Sequence, residues 1–256
     1  MQATIHKKYI GDFVLLLEID NPPANSLSSI MKQQFFALLD EIEKNNNLRA
    51  IVLTGRGTKF CTGDDLKEAM GRSTGTATLA NLKKFSEIMD RFEALPIPTI
   101  AAINGWCVGG GLELALCCDI RIAVPSAKFI TAGVNVGLTA SGYRLPRLIG
   151  AGRAKRMLLT GDTITAAQAL QFGLITDIYE VDDLLTKAIR LAELIVSKAP
   201  LAVKATKKIV DTALDLDATK GYVIQQEILE HLAVSEDYRE ALAAFGANRK
   251  PDFKGK

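Results

Sequence analysis

The 256-residue chain predicts an α/β fold, a core of alternating strands and helices followed by a helical C-terminal part. Three observations carry this. The runs "RAIVLTG" (49–55) and "TIAAING" (99–105) are apolar, rich in β-branched residues and bounded by glycine, as buried strands are. Between them lie stretches with apolar residues at helical spacing. From about 150 to 245 the pattern is helical and amphipathic only, and no Pro- or Ser-rich linker divides it from the front half.

Taken in order, "FVLLLEID" (13–20) reads as a strand and "NPPANSLS" as a turn. Ser28 or Ser29 is placed to cap a helix from about Ile30 to Lys44, with Phe35, Leu38, Leu39 and Ile42 on its apolar side. After the second strand, "FCTGDDLKEA" (60–69) turns at Gly63 into another helix. The small, polar "GRSTGTATLAN" (71–81) reads as a mobile loop, and "LKKFSEIMDRFEAL" (82–95) as a helix ended by "PIP". "LELALCC" suits a buried helix, and "IRIAVPSAKFI" (120–130) two extended pieces meeting at Pro125 and Ser126. Further helices are expected over 151–159, 165–172 with Thr165 as cap, 182–197, 200–213, 217–232 and from about Glu236. A helical extension of this size often packs on a neighbouring subunit.

Composition narrows the function. At 48% hydrophobic the chain can bury a sizeable core, and a net charge of +2 argues against a dedicated nucleic-acid binder or a polybasic membrane anchor. Lys204, Lys207 and Lys208 read as a small solvated basic face. No apolar stretch is long enough to span a bilayer, and the first apolar run is short and broken by Glu18 and Asp20, unlike a signal peptide; a cytoplasmic location is the expectation. Cys117 and Cys118 lie in an apolar run and read as buried thiols, with no C-x-x-C pair anywhere. With His6 and His231 the only histidines, neither a metal site nor a Ser-His-Asp triad is expected.

The chemistry concentrates in "NGWCVGGGLELALCCDI" (104–120). Gly109, Gly110 and Gly111 stand between a strand and a helix, where unpaired N–H groups and a partial positive charge suit a phosphate or a carbonyl oxyanion. The spacing is neither G-x-G-x-x-G nor a Walker loop. A tight turn packed on a neighbour fits equally well. Glu113 sits in the first turn of an apolar helix, where desolvation suits it to act as a general base unless an arginine pairs it structurally. "FCTGDDL" has the same strand–glycine–helix form. Two such turns can aim two backbone N–H groups at one carbonyl oxygen, which enolate-forming chemistry needs.

"FCTGDDLKE" together with "AAINGWCVGGGLELALCCDIRIA" closely resembles the crotonase, or enoyl-CoA hydratase/isomerase, superfamily. The likeness continues through "AKF", "GVNVGL", "LPRLIGAGRAKRMLLTGDTITAAQALQFGLI" and the C-terminal "SEDYREALAAF", and spans essentially the whole chain. The resemblance implies a ClpP/crotonase-like β-β-α superhelix over residues 1–195 and a helical C-terminal trimerisation region over 196–256. It implies a homotrimer or dimer of trimers that binds acyl-CoA, with no metal, no cofactor beyond the CoA of the substrate, and no nucleic-acid or membrane partner. The amides of Asp64 and Gly110 become the oxyanion donors, and Glu113 the acid/base that adds water across a 2-enoyl-CoA double bond.

One position departs. Family hydratases carry a second glutamate in a "P-E" pair after "A-x-F"; here that position is Gly133. Losing an acid/base group typically costs roughly 10²–10⁴-fold in rate. Glu113 then does both proton jobs, or the chemistry is one that needs a single base, such as isomerisation, decarboxylation or thioester hydrolysis, or Asp64, Tyr143 or Arg144 supplies the missing group. A non-catalytic acyl-CoA-binding homologue is the alternative from another class. Asp64 otherwise reads as a solvent-facing first-turn acid, and Tyr143 and Arg144 as surface or subunit-contact residues. For the substrate, the resemblance points to Ala24, Thr62, Asp65, Leu66 and the Gly109 turn along the CoA path, Trp106 and Gly133 at the acyl pocket, and Phe245 over a neighbour's CoA. Turn packing fits Ala24 and Leu66 equally, and core packing fits Trp106 and Phe245. The lysine frequent three residues after that phenylalanine is Asn248.

Overall fold

In the computed structural model, which describes residues 3–71 and 74–256, successive strand pairs feed two sheets by turns. An antiparallel hairpin of β1 (Thr4–Ile10) and β2 (Val14–Asp20) starts the chain. Helix α1 (Ser29–Lys44) follows, capped by the Ser28 hydroxyl on the Met31 N–H. The first unit is β3 (Ala50–Gly55), β4 (Lys59–Cys61), α2 (Leu66–Met70) and α3 (Gly75–Glu93). The second is β5 (Thr99–Ile103), β6 (Trp106–Val108) and α4 (Gly110–Leu116). The third is β7 (Ile120–Ala123), β8 (Lys128–Ile130), a 3-10 turn at Val134–Val136 and α5 (Arg144–Ile149). Then come α6 (Ala151–Thr160), β9 (Ile164–Thr165), α7 (Ala166–Phe172), β10 (Asp177–Ile178), α8 (Val181–Val196), α9 (Pro200–Thr212), α10 (Ala218–Ala233) and α11 (Glu236–Gly246).

The first strand of each unit extends a six-stranded sheet, β1-β2-β3-β5-β7-β10, and the second joins a four-stranded sheet, β4-β6-β8-β9. This is the β-β-α spiral expected of the crotonase fold. Pairing among β3, β5 and β7 and among β4, β6 and β8 is parallel. The carboxyl ends of β4, β6 and β8 therefore lie side by side. Ligands of open α/β sheets bind at such strand ends. The core is continuous, and Phe35, Phe60, Phe92 and Phe129 are among its fully buried side chains. Each such side chain stabilises the fold by about 1.5–3 kcal/mol relative to exposure.

Several expectations need correction. The run 71–81 is not a loop throughout: α3 begins at Gly75, its Thr74 cap accepting from the Ala77 N–H. Arg72 and Ser73 of that run lie outside the described residues. Small polar residues hid a helix that one cap and tertiary packing of its far end hold. The strand β1 had no signal, because its polar outer face breaks the apolar run; β6 and α5 had none because each is short. Lys207 departs from the solvated face: its side chain is largely covered and bonds Asp119 Oδ1 at 2.6 Å. Thr165 caps α7 as read, and Gln168 completes a capping box with it.

Candidate active site

Two glycine turns meet at the carboxyl ends of β4 and β6. Gly63 has φ +81°, and a Cβ added there would stand 2.5 Å from the Gly110 nitrogen. The two backbones touch, which only residues without side chains permit. A Cβ at Gly111 would lie 2.0 Å from the Cys61 carbonyl oxygen, so α4 is pressed onto β4 from its first turn. Gly109 gives no side-chain cap, its own N–H being held by Ile130 O at 2.8 Å. The first N–H groups of α4 have no acceptor within the helix. At its other end, the buried Arg121 donates to the carbonyls of Leu174, Ala115, Cys118 and Asp119, closing the C-terminus with a positive charge.

The turn after Gly63 is polar. Asp64 precedes α2 rather than lying in its first turn, because Asp65 is the N-cap, accepting from the amides of Lys67 and Glu68. Burial opposes the Asp65 charge, but those amides and the Ser26 hydroxyl outweigh it and hold the carboxyl below its ordinary value. Asp64 is not simply solvent-facing: Lys32 Nζ from α1 bonds its Oδ1, and Asn81 Nδ2 from α3 its Oδ2 at 3.2 Å. Ala24, Thr62 and Asp65 come together: Thr62 donates to Ala24 O at 3.0 Å, Ser26 to Asp65 at 2.9 Å, and Leu27 N–H to Gly63 O at 2.7 Å. Leu66 is exposed beside them, which excludes its reading as turn packing.

Glu113 is buried in the first turn of α4, 5% exposed. Its Oε2 accepts from Arg144 Nη1 at 3.4 Å, and Oε1 has no hydrogen-bond partner among the described residues. Arg144 is thus not a surface residue but a hub that also bonds Glu93 at 2.7 Å and Asp90 at 2.9 Å. Burial works against its charge, and the carboxylates outweigh that and raise its pKa. Tyr143, by contrast, is 64% exposed and stacks under Arg147. All four cysteines are free and buried, and burial pushes the Cys61 and Cys118 thiols up to about 12, so neither is a thiolate nucleophile at neutral pH.

Gly133 begins the 3-10 turn after β8, the third strand end in the row. A Cβ there would lie 2.9 Å from Leu138 O, so the chain between them leaves no room for a longer residue without a backbone shift. Trp106 is 42% exposed and Phe245 88%, which excludes core packing for both. Phe245 projects from α11, which the chain end ties down through Asp237 and the amides of Lys254 and Gly255. A cavity of about 1050 Å³ opens between α9 and the C-terminal end of α4. Arg144 lines it, with Cys117, Lys207 and Asp211, whereas Glu113, Asp64 and Gly110 do not. Among the described residues no group of three or more His, Cys, Asp or Glu could hold a metal ion, and no helix is long and apolar enough to cross a membrane.

Three residues at the site escaped the sequence reading. Lys32 had a signal, a lysine spaced with Phe35 and Leu39 on the apolar side of α1. Asn81 had none, and Phe85, whose ring would meet a Cβ at Gly110 at 2.6 Å, looks like any helical aromatic.

A family model described as enoyl-CoA hydratase/isomerase matches residues 10–256. The (E)-benzylidenesuccinyl-CoA hydratase of Thauera aromatica is 37% identical over 251 residues, 96% of this chain and 97% of that protein. A short-chain-enoyl-CoA hydratase of Clostridium acetobutylicum is 35% identical over 93% of this chain and 92% of its own length. The crystal structure of an enoyl-CoA hydratase from Bacillus anthracis superposes with a TM-score of 0.95 at 36% identity, covering 98% of this chain and 99% of that one.

Proposed function

The chain belongs to the enoyl-CoA hydratase/isomerase family, and from that premise we propose that it adds water across the 2,3-double bond of an enoyl-CoA thioester with one carboxylate, Glu113. The supporting observation is the contact of the Gly63 and Gly110 backbones one helical turn from Glu113. The amides of Asp64 and Gly110 hold the thioester oxygen. Water bonds to C3, the π electrons move toward that oxygen as an enolate, and Glu113 Oε1 takes the water proton and returns it to C2. Arg144 keeps Oε2 occupied, so one oxygen does both transfers. Two amide donors supply several kcal/mol of transition-state stabilisation. The CoA portion runs along Ala24, Thr62, Asp65 and Leu66, and the acyl group passes Trp106. No further cofactor takes part.

One observation favours a second reading. The closed space at Gly133 leaves Glu113 as the one carboxylate of the site without a lysine or capping partner to act as acid/base, which suits double-bond isomerisation, where one base moves a proton from C4 to C2. Crotonyl-CoA absorbance followed with wild type and Glu113→Gln, with mass spectrometry of products from 2-enoyl and 3-enoyl thioesters, tests both. Hydration adds the mass of one water; isomerisation leaves the mass unchanged. Equal, negligible turnover in wild type and variant would end both readings.

The active form is a trimer or dimer of trimers. Helices α9 and α10 bury no residue in the single chain, and Val210, Tyr222 and Val223 stay exposed on them, as does Leu214 between them. Light scattering of the eluted protein measures this.

A further inference from the structure

We propose that Lys32 is a charge-balancing residue of the site, a buried ammonium that cancels the Asp64 carboxylate so that an enolate can form next to it. This rests on the reading of the Asp64 amide as an oxyanion donor.

Lys32 is 2% exposed, on a helix side otherwise occupied by Met31, Phe35 and Leu39. A lysine there is costly to bury unless its charge is paired, and its partner is Asp64. Its Nζ bonds Asp64 Oδ1 and lies 2.7 Å from Asn81 Oδ1, while Asn81 Nδ2 closes the ring onto Asp64 Oδ2. The three side chains come from α1, the turn after β4, and α3. Asp64 is the residue whose own N–H faces the developing oxyanion, so its carboxylate sits a few ångströms from the new negative charge. Like charges at that distance oppose each other strongly in a partly desolvated site. The reacting complex gains negative charge where the free enzyme already has it, so the penalty falls on the transition state more than on substrate binding. A fixed ammonium behind the carboxylate cancels that field at the oxyanion without donating to the substrate. Asn81 fixes the side of Asp64 that Lys32 does not hold.

The test uses Lys32→Met, Asp64→Asn and the double variant in the full chain. Hydration of crotonyl-CoA gives kcat and KM, and the red shift of a bound dienoyl-CoA chromophore reads polarisation of the thioester carbonyl without turnover. Lys32→Met is expected to lower kcat by about 10- to 100-fold with KM changed less than threefold, and to shrink the red shift. The double variant, which removes both charges, is expected to recover most of both. Thermal melting identifies a variant that has unfolded, and the double variant carries the decision in that case. A red shift and kcat unchanged in Lys32→Met, or a double variant no better than the single one, overturns the proposal. A wild type that binds the chromophore without any red shift refutes instead the oxyanion reading beneath it.

Discussion

The two glycine turns share one sequence pattern, strand, glycine, helix, yet they are held by opposite means. The turn at Gly63 is held by polar bonds. Asp65 caps α2, Ser26 bonds Asp65, Glu68 accepts the Ser29 N–H, and Lys32 and Asn81 grip Asp64, while α2 buries none of its residues. The turn at Gly109 is held by packing. Gly111 through Leu116 are all buried, no side chain caps the helix, and Gly111 abuts the Cys61 carbonyl. Polar bonds are local and individually replaceable. A packed backbone contact has no substitute, because interiors are close-packed and a single methyl displaces its neighbours.

That difference ranks the effects of change. Glu113 belongs to the packed turn and carries the proposed chemistry, so Glu113→Gln, nearly the same shape, is expected to lower kcat by roughly 10²–10⁴-fold. The crotonyl-CoA assay checks it, and Tm should move by no more than a few degrees. Next is Gly111→Ala. Its methyl would stand 2.0 Å from Cys61 O, on backbone at both sides, so a loss of about 1–3 kcal/mol or more in urea unfolding is expected. If Gly111→Ala were as stable as wild type, packing would not be what holds this turn. Gly133→Glu, which restores a carboxylate in name, should fail to raise hydration, since Leu138 O stands where the side chain must leave the backbone; a rate increase would show that the loop yields.

The polar turn should respond least. Asp65→Ala removes one helix cap and is expected to cost about 1 kcal/mol. Because the folded Asp65 pKa lies below its ordinary 3.8, this stabilisation is full above that value and is lost as pH falls through the folded pKa. Urea midpoints of wild type and Asp65→Ala should therefore converge below about pH 4. A gap that persists unchanged in acid would assign the effect to something other than the charged cap.

Much of this was legible beforehand for a physical reason. Buried parallel strands are written as apolar, β-branched runs, and 50–55 and 99–103 were found within a residue or two. Caps are single side chains bonded to nearby amides, and Ser28 and Thr165 act where spacing put them. Both glycine turns and Glu113 stood out because flexibility and charge are anomalous beside a core. Strand β1, half polar and paired only with its hairpin partner, carries no such mark, and the first turns of α3 depend on a cap in a run of small polar residues.

The sequence by itself determined the α/β class, the order of its longer helices and the two places where backbone amides could serve chemistry. Those are properties of residues within a few positions of one another. The tertiary structure alone decided that Gly63 and Gly110 touch, that Arg144 holds one oxygen of Glu113, and that Lys32 and Asn81 meet at Asp64. These contacts join residues 17 to 49 positions apart. Sheet register and helix packing bring them within bonding distance, and neither is written in any local run.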